Sequence, residues 1–184
     1  MLEINNLTVK FADKKILDSF SIDLSDYNFI ALFGPSGCGK TTLLNVIAGI
    51  NKKYDGYIKN DHIPVYMFQE PRLFPYLTAL ENVNVVLSDN KDTLEMAKEF
   101  LLKVGFSDFD KFPDELSGGM KQRVSLARTL AGNGDLLLLD EPFSALDNES
   151  KKDLFKVLRE DGRKVIFVTH NIADLGYADK IVYF

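Results

Sequence analysis

Five short runs along the chain are almost continuously apolar: FIALF (29–33), VYMF (65–68), LLLLD (136–140), KVIFV (164–168) and KIVYF (180–184). Strands that read this way are buried on both faces, as in a parallel sheet covered by helices. Stretches with helical spacing separate most of them, and this alternation predicts an α/β fold. The opening segment, LEINNLTVKF…KKILDSFSIDL, instead alternates apolar and polar positions and predicts a strand pair with one wet face. Between about Pro71 and Ala131 the rhythm breaks. Helices are predicted at Thr78–Leu87, Thr93–Val104 and Gly119–Ala131, with no convincing strand among them. We read a helical subdomain of about residues 71–131, inserted into a core made of residues 1–70 and 132–184, within one domain spanning 1–184.

Composition narrows the class. A chain of 184 residues, 46% hydrophobic and 27% charged, can bury a substantial core and stay soluble. Its net charge of -5 argues against a basic face that coats nucleic acid, so no nucleic-acid partner is expected. The single cysteine, Cys38, rules out an internal disulfide framework and fits a reducing compartment. No apolar run approaches the roughly 20 residues needed to span a bilayer, and MLEINNLTVKF lacks the order of a signal peptide. The expectation is a cytosolic chain whose membrane role, if any, comes through a partner.

The candidate chemistry starts at FIALFGPSGCGKTTLLNVIAGI, a strand, a glycine-rich turn and a helix ended by Gly49. Gly34, Pro35, Ser36, Gly37, Cys38, Gly39, Lys40 and Thr41 match G-x-x-x-x-G-K-[ST]. Glycines let such a loop turn successive N–H groups inward at phosphate oxygens. Lys40 supplies a point charge for the β and γ phosphates, Thr41 a hydroxyl for Mg²⁺, and Thr42 a further phosphate contact. Cys38 reads as a small residue filling the gap between two glycines. The predicted fold is thus a P-loop NTPase core with a mainly parallel sheet, an N-terminal antiparallel β part and the inserted helical subdomain.

Other polar residues sit where open α/β sheets bind ligands, at strand ends. LLLLDEP puts Asp140 and Glu141 there; a carboxylate so placed can hold Mg²⁺ while its neighbour polarises water. VIFVTHN ends with His170, able to bond the γ-phosphate or orient the water, and MFQEP with Gln69, able to reach Mg²⁺ or the water. His62 is read as a loop residue without a role. LSGGMKQR (116–123) opens a helix with bare backbone amides at Ser117, Gly118 and Gly119, a second anion site by physics alone.

In the order GPSGCGKT, FQEP, LSGGMKQR, LLLLDEP, SALD, VTH, the chain resembles an ATP-binding cassette (ABC) ATPase, the nucleotide-binding subunit of a transporter. The resemblance covers nearly the whole chain. It implies ATP and Mg²⁺ as cofactors, and Glu141, His170 and Lys40 as catalytic residues. It further implies Thr41, Gln69 and Asp140 as metal ligands. Phe11, 23 residues before Gly34, would stack on adenine. Two copies would pair head to tail, each ATP lying between one P-loop and the partner copy's LSGG, with Asp147 of SALD helping the copies sense each other. The implied partners are a transmembrane permease, contacted through QEPRLFPYLTALENV with Leu73, Phe74, Tyr76 and Leu77, and a solute-binding protein. That segment is similar to importers of nitrate, sulfonates and taurine, and implies a protein peripheral to the inner face of the membrane.

Two features depart from the family pattern. Only 28 residues separate Lys40 from Gln69, and the sequence stops soon after THNIADLGYADKIVYF, where relatives continue with a further strand and helices. The rival functions are a soluble cassette ATPase acting on ribosomes or DNA, and a nucleotide-gated interaction module. The 76 residues from Lys40 to Ser117 carry no heptad repeat, against the first; Glu141 and His170 together weigh against the second.

Overall fold

A computed structural model describes residues 1–12, 14–87 and 93–184. Residues 88–92, inside the expected helical subdomain, lie outside the described residues. Each apolar run forms a strand: β3 (Phe29–Phe33), β5 (Pro64–Met67), β6 (Leu136–Asp140), β7 (Lys164–Thr169) and β8 (Lys180–Tyr183). They make one five-stranded sheet in the order β5-β6-β7-β3-β8. The pairs β3–β7, β3–β8 and β6–β7 are parallel, and β6 and β7 are buried at every position, as continuous apolar runs require.

The alternating segment forms β1 (Leu2–Phe11) and β2 (Lys14–Asp23), an antiparallel pair. Leu2, Ile4, Leu7 and Val9 point inward. The step of three between Ile4 and Leu7 breaks the period of two, and the chain absorbs it with a register shift and a positive φ of 50° at Asn6. β2 does the same at Ser19, φ 51°, whose N–H donates to Thr8 Oγ1 at 3.0 Å. A third strand, β4 (Asp55–Asn60), adds to β1 from the other side. Its DGYIKN sequence carries too little apolar pattern to be read as a strand.

The helices are α1 (Lys40–Ile47), α2 (Ala79–Asn84), α3 (Thr93–Lys103), α4 (Gly118–Ala131) and α5 (Asn148–Asp161). The described residues form two compact units. One comprises residues 1–66, 134–141 and 164–184 and carries the strands and α1; the other comprises 67–133 and 142–163 and carries α2 to α5. The expected 71–131 segment therefore has company: residues 142–163, which the sequence reading kept with the sheet, group with the helices. α5 is the crossover between the parallel neighbours β6 and β7, and it is fastened to α4 as well. Arg123 on α4 donates to Ser150 Oγ at 2.7 Å, and Arg163 just past α5 donates to the carbonyls of Leu130 and Gly132 at 2.7 and 2.9 Å.

In the first unit, one hydrophobic cluster joins the inner faces of β1 and β2 to Ile30, Leu32, Leu136, Leu138, Ile166 and Val168 and to Leu43, Leu44 and Ile47 of α1. Buried Lys164 pins the turn ahead of β3, donating to the carbonyls of Leu24, Ser25 and Tyr27 at 2.7, 3.1 and 2.5 Å. In the second unit, Asn82 is fully buried. Its amide donates to the carbonyls of Phe74, Leu77 and Thr78 at 3.1, 2.9 and 3.0 Å, and its oxygen accepts from Phe74 N–H at 2.8 Å. One side chain thus satisfies the backbone of a whole turn, the segment leading into α2.

Candidate active site

The register of the parallel sheet sets the site. Phe33 lies level with Thr169, and Asp140 with Val168, so β3, β6 and β7 end along one edge. The residues following each strand project from that edge: Gly34, Glu141 and His170.

Residues 34–39 form the loop after β3. Its last residue, Gly39, caps α1 with φ 114°, a conformation that L side chains rarely adopt. A Cβ there would also lie 2.8 Å from Leu17 Cδ2 and 3.2 Å from the Ile16 carbonyl, so β2 sits directly against the loop. At the loop's start, a Cβ on Gly34 would come within 3.0 Å of Phe184 and 3.1 Å of Cys38 Sγ. Cys38 thus fills the inside of the loop. Pro35, Ser36 and Gly37 are exposed, whereas Lys40 is 6% exposed. Its ammonium donates to the carbonyls of Gly34 and Pro35 at 2.8 and 2.7 Å and lies 3.7 Å from Cys38 Sγ. The charge expected to meet phosphate is held at the mouth of the loop by the loop's own dipoles.

Thr41 and Asp140 meet. The Thr41 hydroxyl donates to Asp140 Oδ1 at 3.1 Å, and the Tyr66 hydroxyl lies 3.5 Å from Asp140 Oδ2. Asp140 is 3% exposed. Burial pushes its carboxyl above the ordinary carboxylate range, and the neighbouring Glu141 charge pushes the same way; bonds from Thr41 and Tyr66 and the Lys40 charge oppose this. A group held more protonated in the folded chain than in the unfolded one costs stability as pH rises past the ordinary value of 3.8, and the full cost stands above the raised value. Asp140→Asn is therefore expected to melt at pH 7 no lower than the parent, gaining about 2–4 °C for each kcal/mol relieved, with the gain vanishing as pH falls towards the ordinary value. Thermal melts across that range test it; a Tm several degrees below the parent at pH 7 would refute the burial cost.

Glu141 has φ 51°, a left-handed conformation that strains a non-glycine residue. The chain turns sharply right after Asp140, so the two carboxylates leave the strand in different directions. His170 Nδ1 lies 3.6 Å from Glu141 Oε1, within ion-pair range when protonated but beyond a hydrogen bond. The turn carrying His170 is fixed by Thr169, whose hydroxyl donates to Asp174 at 2.7 Å and accepts from Asn171 N–H at 3.0 Å. Phe11, at the end of β1, is 58% exposed, so it is no core residue and its ring faces solvent on the hairpin braced against Gly39.

Lys40, Thr41, Asp140, Glu141 and His170 thus gather on one unit. Gln69 and Ser117 to Gly119 belong to the helical unit. Gln69 is exposed in the bend after β5, and Ser117 is the N-cap of α4, its oxygen accepting from Met120 N–H at 3.3 Å. That leaves the serine hydrogen and the amides of Gly118 and Gly119 directed outward from the helix start. Gly119 is confined as well, since a Cβ there would lie 3.1 Å from the Ala145 carbonyl. Asp147 is committed to capping α5: it accepts from Glu149 N–H, Ser150 N–H and Ser150 Oγ at 3.0, 2.9 and 2.8 Å, and these bonds hold its carboxyl below the usual range. His62, read as a bare loop residue, sits with Nδ1 2.7 Å from Asp135 Oδ2 and tethers the turn before β5.

A family model described as ABC transporter matches residues 17–144, more than two thirds of the sequence. The chain belongs to the ABC transporter family. It is an ATP-binding, ATP-hydrolysing cassette of that family. An uncharacterized ABC transporter ATP-binding protein of Methanocaldococcus jannaschii is 37% identical over 203 residues, covering 98% of this chain and 76% of the relative. An aliphatic sulfonates import ATP-binding protein of Bacillus cereus is 38% identical over 194 residues, covering 96% and 77%. A spermidine/putrescine import ATP-binding protein of Marinobacter nauticus is 38% identical over 203 residues, covering 99% of this chain but 54% of its own length. The ABC chain thus spans between about half and three quarters of these relatives. Among solved structures, an ATP-binding cassette in a dimeric, post-hydrolysis state bound to ADP and phosphate matches with a TM-score of 0.90 and 28% identity, covering 100% of this chain and 94% of that one.

The sequence reading of this ABC cassette missed three site features. Tyr66 beside Asp140 carries no motif. The strained turn at Glu141 could not be read from DEP. The capping role of Asp147 was signalled, since Asp just ahead of an amphipathic helix is an N-terminus pattern.

Proposed function

We propose that this cassette is the energy-supplying subunit of an importer, working as a head-to-tail pair of copies against a separate membrane permease. The observation that carries the reading is the array of Lys40, Thr41, Asp140, Glu141 and His170 on one sheet edge, in a chain that presents Ser117, Gly118 and Gly119 at a separate helix start. A lone copy offers the LSGG amides no lysine, so they bind phosphate only when another copy brings it. A two-fold pairing gives two equal sites.

Loop amides and Lys40 hold the phosphates, and Phe11 gives adenine an exposed face to stack on. Thr41 and Asp140 suit Mg²⁺. They present oxygen atoms only, Asp140 is a buried carboxylate whose charge is poorly compensated, and the described residues hold no three-carboxylate or histidine cage. That matches a cation that keeps water and substrate oxygens. When bound there it would neutralise charge on the transferring phosphoryl group. Glu141 accepts the proton of the attacking water, and His170 beside it orients that water or the γ-phosphate. Closure of two copies around ATP adds Ser117 to Gly119 to the γ-phosphate; hydrolysis removes that link and lets the pair open.

Similar relatives are named as importers of sulfonates, iron and polyamines, and this supports import. No helix among the described residues is long and apolar enough to cross a membrane, so transport would pass through a permease, the cassette lying on its cytoplasmic side, with a solute-binding protein on the far side. The exposed Phe74 and Tyr76 give that permease an apolar foothold. The test is dilution. ATP hydrolysis per molecule should fall with protein concentration below the association range, because each site needs two chains. A specific activity that stays flat on dilution to nanomolar protein would sink the two-copy site.

A further inference from the structure

Arg128 fastens the segment between Gln69 and α2 to α4. Arg128 donates through Nη2 to the Pro71 carbonyl at 2.7 Å and through Nη1 to the Arg72 carbonyl at 3.0 Å, and its guanidinium lies 5.9 Å from the Phe74 ring. Among the described residues no carboxylate pairs with it, and burial draws its pKa down. A half-buried cation given only backbone carbonyls is a costly arrangement, and the planar fork spanning two successive carbonyls fits a mechanical purpose.

The segment it holds cannot relax easily. Arg72 has φ 44°, and its own guanidinium lies 3.9 Å over the Phe68 ring. Asn82 clamps the other end through the backbone of Phe74, Leu77 and Thr78. Between these two fastenings Phe74 and Tyr76 turn outward, 50% and 89% exposed. Arg128 follows Ser117 by eleven residues, about three helical turns, so it lies on roughly the same side of α4 as the N-cap.

We propose that Arg128 is a positioning residue that locks the strap Pro71–Leu77 to the helix headed by Ser117. A load on Ser117 to Gly119 and a load on Phe74 and Tyr76 are then carried by one rigid body. The inference rests on the two-copy reading above: engagement of Ser117 by a second copy is felt at the strap through α4 and Arg128, without passing through the nucleotide.

Hydrogen exchange on the intact chain carrying Glu141→Gln, with and without ATP, tests it. In that parent, ATP should slow exchange on the order of tenfold at two places, the first turn of α4 (Met120, Lys121) and the strap. Adding Arg128→Met should keep the slowing in α4 and reduce that of the strap to less than about twofold. Arg128→Lys keeps the charge and stem, so it guards against a folding failure, and one ammonium cannot bridge both carbonyls; it should behave as the methionine variant does. Strap slowing equal to the parent in either variant overturns the lock. An ATP response in the parent confined to α4 overturns it as well. Absence of any response at α4 in the parent refutes the two-copy site itself, and the lock with it.

Discussion

Glu141→Gln is expected to lower turnover by on the order of 10²–10⁴-fold while leaving ATP binding intact. Glutamine keeps the size and the strained backbone seat but cannot take the proton of the attacking water. The loss is expected to be one of chemistry, because the proposed phosphate contacts come from residues 34–42 and the proposed Mg²⁺ ligands are Thr41 and Asp140, none of which is replaced. With hydrolysis blocked, ATP should hold two copies together for far longer than in the parent. Phosphate release at saturating ATP measures the first effect, and size-exclusion chromatography with ATP the second. A variant that releases phosphate at the parent rate would hand the proton-accepting role to another group, His170 being the nearest.

Ser117→Arg should abolish detectable hydrolysis, a fall of at least about 10²-fold, with ATP affinity of the single chain nearly unchanged. Ser117 is exposed, so arginine can be accommodated in the monomer. The local cost is the lost N-cap of α4, about 1 kcal/mol. The helix has other anchors, Arg123 bonding Val104 O and Ser150, and Arg128 bonding the strap, so it should survive that loss. What cannot survive is closure, since a long side chain would stand where the partner copy's phosphate must approach the bare amides. Nucleotide titration at concentrations too low for pairing separates the cases. Weakened binding there would mean that Ser117 serves its own chain's phosphate loop.

Apolar continuity made the parallel sheet legible, and the glycine spacing of residues 34–41 made the phosphate loop legible. Both are local patterns with a physical cause. β4 was not legible, because an edge strand in the wetter sheet needs few apolar residues and DGYIKN has few. The allegiance of residues 142–163 was hidden for a different reason. The amphipathic period of a crossover helix such as α5 does not say what else it packs on, and that is settled by long-range bonds such as Arg123 to Ser150 and Arg163 to Leu130. Tyr66 near Asp140 and Arg128 on the Pro71 carbonyl are likewise contacts between residues about 57 to 74 positions apart, which no window along the chain can pair. Phe11, expected as the adenine platform, is 58% exposed, an exposure that its place in the sequence does not reveal.

The way Lys40 is held has a consequence for the timing of the cycle. Its ammonium is shared with the carbonyls of Gly34 and Pro35, so an arriving nucleotide must win the lysine from the loop. The contest is graded by charge. A triphosphate, with its extra oxyanions, wins easily, and a diphosphate that has lost its terminal group competes less well. On the proposed role of Lys40, the carbonyls would take the ammonium back as spent nucleotide loosens. The phosphate loop would then act as a return spring, with product release favoured by the very groups that shape the site.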